Sequence, residues 1–143
     1  MGEVSQVSLV VLIVHLNVLI IVVMNIEKLE ILRGIAEMAY VVAKADKGLS
    51  AEERIAFHKI IEEELEFESW AAQSRFDLLD EVIQPSVDNA YNEAIHDFKR
   101  YRDHLSTDLK EKAIRVMKKV AESCGGFSEK EEAIIDRFKK DLT

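Results

Sequence analysis

The sequence predicts an all-α fold, and three observations carry the prediction. Five glycines and a single proline among 143 residues leave little material for the turns of a β-rich or loop-rich chain. Beyond residue 24, apolar residues recur at three- and four-residue steps, the period of a helix with one buried face. Two stretches, ADKGLSAEE at 45–53 and SCGGFSEKE at 123–131, each read as a helix end followed by a capped restart. With 48% apolar residues, the chain fits one domain around one core. A formal charge of −8 argues against a nucleic-acid-binding surface, which needs clustered Lys and Arg to release counterions, and favours cations or basic partners. One cysteine, Cys124, allows no internal disulfide and points to a reducing compartment.

The first element is an apolar tract without a formal charge between Glu3 and Glu27. Its 23 residues from Val4 to Ile26 make about 34 Å of helix at about 1.5 Å per residue, against a hydrocarbon core of about 30 Å. We read residues 4–26 as a membrane helix. His15 and Asn17 fall near its middle, where neutral polar groups seek a partner on another helix. A secretory signal fits less well, since no Lys or Arg precedes the tract and no small-residue cleavage site closes it. Gln6 stands where a myristoylation signal has Ser or Thr. Lys28 and Arg33 follow the tract and nothing basic precedes it, which favours a cytoplasmic C-terminal domain. Three alternatives stand beside the span: a helix buried in a core or partner, two strands at 9–14 and 18–23, and a start-site artefact. Nine of the sixteen residues from Leu9 to Met24 are β-branched, which motivates the strands. If translation starts at Met24, the product is a soluble cytoplasmic protein. The domain organisation is therefore an apolar segment over 1–24 and a helical domain over 25–143.

In that domain, Ile31, Ile35, Met38, Val42 and Ala45 form one stripe of a helix from about Asn25 to Asp46. Gly48 suits a left-handed stop, and Ser50 with Glu53 forms a capping box. The next helix carries Ile55, Ile60, Ile61 and Leu65 to about Glu68. Two helices follow, parted near Pro85, with Ser86 as a cap. Ser106 or Thr107 opens a helix through Ile114, Met117 and Val120, which Gly125 and Gly126 stop. Ser128 and Glu131 restart the chain for a last helix ending near Leu142.

At a constant offset of 78 residues the two turns superpose. Five of sixteen positions are identical: Val42 and Val120, Ala43 and Ala121, Gly48 and Gly126, Ser50 and Ser128, Glu53 and Glu131. Two helix-turn-helix units around a helical middle imply an internally duplicated bundle with one shared core. A helix ending in Ala-Asp, then a glycine, an apolar residue, Ser, and a Glu seven positions after the Asp resembles the TerB-like family, named for bacterial tellurite resistance. The resemblance covers about residues 25–142. It implies an all-helical duplicated domain, acidic residues beside the turns that bind a divalent cation, and no established catalytic activity. Matched residue by residue, the metal candidates it implies are Asp46, Glu53 and Glu131. Two departures stand out: the glycine lies two places after Asp46, and the second unit has Cys124 at the Asp46 position. The apolar segment ahead of such a domain is similar to the layout of DjlA-type co-chaperones, although the His-Pro-Asp signature of their J domain is absent from this sequence.

Independently of any family, Asp46 in the last helical turn faces the negative end of the macrodipole, a placement costing a few tenths to about 1 kcal/mol. A bound cation or a nearby Lys44 or Lys47 would offset it. Glu53 already has work in its capping box. The missing Asp-x-Asp-x-Asp-Gly spacing argues against an EF-hand. Glu93 and His96 make one E-x-x-H pair where a di-iron bundle needs two, and His58 with Glu62 reads as an exposed i,i+4 pair rather than a zinc site. The run Glu62–Glu68 reads as a solvated face with Leu65 and Phe67 turned inward. Cys124, at a helix end without an adjacent His, reads as inert. Trp70, Phe76, Tyr91, Phe98 and Tyr101 are read as core. No phosphate loop or nucleophile elbow occurs, which argues against an enzyme. The sequence thus points to a non-catalytic module tethered to the bacterial inner membrane, binding calcium, magnesium, manganese or zinc, or a protein partner, in a stress-related assembly. The alternative is a structural subunit of a larger membrane complex with no metal role.

Overall fold

Most of the bundle packs around one helix. The computed structural model describes residues 2–46, 49–123, 125 and 128–143, with the side chains of 2–7, 22–24 and 46 outside the description. Helix α1 (Gly2–Asp46) is continuous over 45 residues, so the helix expected to begin near Asn25 extends through the apolar tract. That excludes the two strands at 9–14 and 18–23. Residues 8–21 are exposed throughout, so this stretch is not buried in the chain's own core. Nor does His15 reach to another helix, because its Nδ1 donates to the Val11 carbonyl one turn back, at 2.7 Å.

The character of α1 changes at Glu27. From Ile31 to Ala43 every residue except Arg33 is buried, and α3, α4, α5 and α6 all pack on it. Our single stripe from Ile31 to Ala45 understates this: the helix is apolar all round because it is surrounded all round. Gly34 is needed where α4 comes closest, since a Cβ there would sit 3.1 Å from the Phe98 ring.

The remaining elements follow as α2 (Ala51–Leu65), a 3₁₀ turn (Glu66–Glu68), α3 (Ser69–Leu78) with a π-helical extension (Leu79–Ile83), α4 (Val87–Arg100), a second 3₁₀ turn (Arg102–His104), α5 (Thr107–Ser123) and α6 (Glu129–Asp141). Ser86 caps α4 by accepting from the Asn89 amide at 3.2 Å, and Ser106 caps α5 by accepting from the Leu109 amide at 3.1 Å. Three pairs set the direction of α3: Lys28 with Glu68 at 3.1 Å, Arg75 with Glu37 at 2.8 Å, and Lys44 with Asp80 at 3.5 Å. Rising numbers on both sides mean that α3 runs parallel to α1. The 3₁₀ turns therefore lie at the end where the apolar part of α1 leaves, and the two Ser-capped restarts lie at the other.

The duplication is visible in burial. Ile35 and Ala113, Met38 and Val116, Ala39 and Met117, and Val42 and Val120 are related by the same offset, and all are buried. Between the units, Phe57 of α2 stacks on Phe76 of α3 with ring centroids 3.5 Å apart. Phe98 of α4 meets Phe138 of α6 edge to face at 5.4 Å. Three expected core residues are elsewhere: Ile55, Phe67 and Trp70 are exposed. Phe67 is turned out by the 3₁₀ turn that ends α2 at Leu65, which breaks the helical register on which its inward placement rested.

Candidate functional site

The capped-restart end carries the residues that the sequence singles out. In both units the box closes: the Glu53 amide donates to Ser50 Oγ at 3.2 Å and the Ser50 amide to Glu53 Oε2 at 3.4 Å. The Glu131 amide donates to Ser128 Oγ at 3.2 Å and the Ser128 amide to Glu131 Oε1 at 3.1 Å. The carboxylates differ in what remains. Glu131 is buried and its Oε2 has no hydrogen-bond partner, whereas Glu53 stays partly exposed. Glu131 Oε2 is a possible ligand atom for a cation, but among the described residues no group of three or more His, Cys, Asp or Glu side chains is placed to hold a metal ion. Glu53 and Glu131 therefore do not fit a metal centre by themselves. The Asp46 side chain, Lys47, Gly48, Cys124, Gly126 and Phe127 lie outside the described residues.

Beside this end sits an acid that sequence reasoning missed. Asp80 is buried in the π-helical turn, a distortion often associated with functional positions. Arg54 Nε of α2 approaches its Oδ2 at 2.6 Å, and Lys44 Nζ of α1 approaches its Oδ1 at 3.5 Å. One carboxylate thus joins the end of α1, the start of α2 and the end of α3. Lys44, considered above as a neighbour offsetting Asp46, meets Asp80. Tyr40 lies under Lys44, 5.8 Å from the ring centroid, and its hydroxyl donates to the Pro85 carbonyl at 3.1 Å. Burial, with Asp80 adding to it, raises the Tyr40 pKa.

A second missed acid lies deeper. Glu37 is 1% exposed in the enclosed half of α1. Arg75 Nη1 donates to its Oε1 at 2.8 Å, while Oε2 has no partner. Burial, reinforced by Asp97, pushes the Glu37 carboxyl up to about 7 against the opposing pull of Arg75. Burial, with Glu30 adding to it, raises Asp97 as well. A signal was present in the sequence: Glu37 is the only charged residue in GIAEMAYVVA, residues 34–43.

The other candidates resolve into packing. His58 faces Gln73 Oε1 at 2.9 Å and Asp77 Oδ1 at 2.8 Å on α3, so its partners are across helices rather than at Glu62. Glu93 and His96 are exposed on α4. Within the acidic run, Glu64 is not simply solvated, since it holds Arg115 at 3.1 Å and Lys119 at 2.7 Å on α5.

A family model described as Tellurite resistance protein TerB matches residues 33–143. No curated protein and no solved structure matches the chain.

Two outcomes are expected. In the folded chain Glu37 holds its proton up to about pH 7, against 4.5 as its ordinary value. The folded state thus binds the extra proton between those values, and stability contributed by this group falls as pH rises through that window. Urea unfolding between pH 5 and 8 should show that decline, and Glu37→Gln should flatten it. An equal slope in the variant would contradict the assignment. At the other end, Glu53→Ala should lose about 0.5–1 kcal/mol as a broken capping box. The loss should be the same with calcium, magnesium, manganese or zinc as with chelator; a loss that appears only with a cation would make Glu53 a ligand instead.

Proposed function

This chain belongs to the TerB family, and from that premise we propose that it is a non-catalytic, membrane-tethered member. It would hold its bundle on the cytoplasmic side of a bacterial inner membrane and dock a protein partner there, as part of a tellurite- or stress-response assembly. One observation carries the proposal: α1 is buried from Ile31 to Ala43 at every residue but Arg33, yet the same helix leaves its most apolar stretch uncovered. The 18-residue window there has a mean hydropathy of 2.8, and none of its described side chains is buried. Scattered exposed apolar residues are ordinary on a soluble surface, but a continuous apolar cylinder calls for lipid or a partner. Lys28 and Arg33 follow the tract, which supports the cytoplasmic placement.

Partner docking is supported by the acidic surface implied by a charge of −8, which favours a basic contact face. The proposal places no metal at Glu53 or Glu131, whose carboxylates hold helix starts. Alkaline extraction of native membranes tests the tether. The chain should remain with the membrane pellet, and complete release into the supernatant would contradict it.

A further inference from the structure

We infer that the end of the bundle from which the apolar helix emerges is itself a membrane-binding face, seated on the anionic headgroup layer of the bilayer that α1 enters. The inference rests on the tether proposed above and adds a second contact with the same membrane. It starts from length. No loop separates the tract from the core: α1 is continuous, Ile26 is exposed and Ile31 is fully buried. Five residues of helix advance about 7.5 Å, close to the thickness of one interfacial layer, which is about 5–8 Å when a core of about 30 Å lies in a bilayer of about 40–45 Å. With Ile26 at the hydrocarbon boundary, this end of the bundle lies among the headgroups.

The side chains there suit that layer. Lys28 meets Glu68 of the first 3₁₀ turn at 3.1 Å, which places that turn beside α1. In that turn Phe67 is 93% exposed, and Trp70 follows at 53%. No other large apolar residue of the bundle is as exposed as Phe67 among the described residues. Glu66, immediately before it, is held at φ 54°, a conformation that costs a non-glycine residue about 1–3 kcal/mol and persists only where the surroundings enforce it. Across the helix, Glu27 holds His104 at 2.5 Å and so fixes the second 3₁₀ turn at the same level. Lys99, Arg100 and Arg102 are exposed around it, with Tyr101 partly buried between them. Aromatic rings with polar edges and cationic side chains on apolar stems are the residues that settle at a bilayer interface. Glu66 and Asp103 are exposed in the same turns, so attraction to an anionic leaflet rests on the longer side chains of Lys99, Arg100 and Arg102 reaching past them to the headgroups.

The chain supplies its own probe, because Trp70 is its only tryptophan. The 143-residue chain is reconstituted into vesicles of phosphatidylethanolamine and phosphatidylglycerol, with or without bromine on the upper acyl chain, and separated by flotation. The chain should float, and Trp70 should lose emission in brominated vesicles while being shielded from aqueous acrylamide. Phe67→Asp combined with Arg100→Glu and Arg102→Glu should restore emission and acrylamide access without affecting flotation. A floating chain whose Trp70 is open to acrylamide and untouched by bromine overturns the docking face while leaving the tether intact. Failure to float overturns both. Equal quenching in purely zwitterionic phosphatidylcholine would overturn the anionic requirement.

Discussion

A helix that is apolar on every side must be enclosed on every side, and α1 imposes that constraint on the rest of the chain. From Ile31 to Ala43 the enclosure is protein. Four helices are needed to surround one, which is why the duplicated units cannot pack as a simple face-to-face pair and why the middle helices α3 and α4 contribute to the wall. Close approach is set by small groups, as at Gly34 beneath Phe98. The parallel run of α3 is marked by charge pairs spaced along the helix, Lys28 with the 3₁₀ turn before α3, Glu37 with α3 and Lys44 with its extension.

Those charges differ in what they do. The Lys28–Glu68 pair is solvated and weak, as exposed pairs are. Asp80 is buried, yet two partly exposed cations lie beside it, so its charge is compensated at a junction of three elements even though the Arg54 Nε–Oδ2 approach lacks hydrogen-bond geometry. Glu37 is the costly one: a single guanidinium faces it, a second oxygen is unpaired, and Asp97 adds repulsion. Placing a carboxyl in the most enclosed helix ties the bundle's stability to protonation near neutral pH.

Much of this was legible in the sequence where local physics decides. The Ser-x-x-Glu boxes, the break at Pro85 and the cap at Ser86 follow from backbone donors that need partners and form as read, while of Ser106 and Thr107 it is Ser106 that caps α5. The duplication was legible because both turns solve the same capping problem. What escaped depends on tertiary context. The full enclosure of α1 could not be told from a stripe, because periodicity vanishes when all faces are buried. Asp80 looked like one more acid in LLDEVI until the π turn and two helices brought Arg54 and Lys44 to it. Phe67 read as buried since nothing local announces that α2 ends at Leu65 in a 3₁₀ turn. Of the expected metal candidates, two carry helix caps, and the Asp46 side chain lies outside the described residues.

Function follows from the same helix. In the proposed reading, α1 passes from lipid into protein without a joint, so the membrane and the bundle share one rigid rod and the TerB domain is carried at a fixed height and orientation. Continuity of that rod is the central claim, and amide hydrogen exchange on the full chain in lipid nanodiscs measures it most directly. Unbroken slow exchange from the apolar tract through Glu27 and Lys28 into the Ile31–Ala43 segment is the expected result. A stretch of fast-exchanging amides between residues 24 and 30 would mean a flexible linker and would contradict the account.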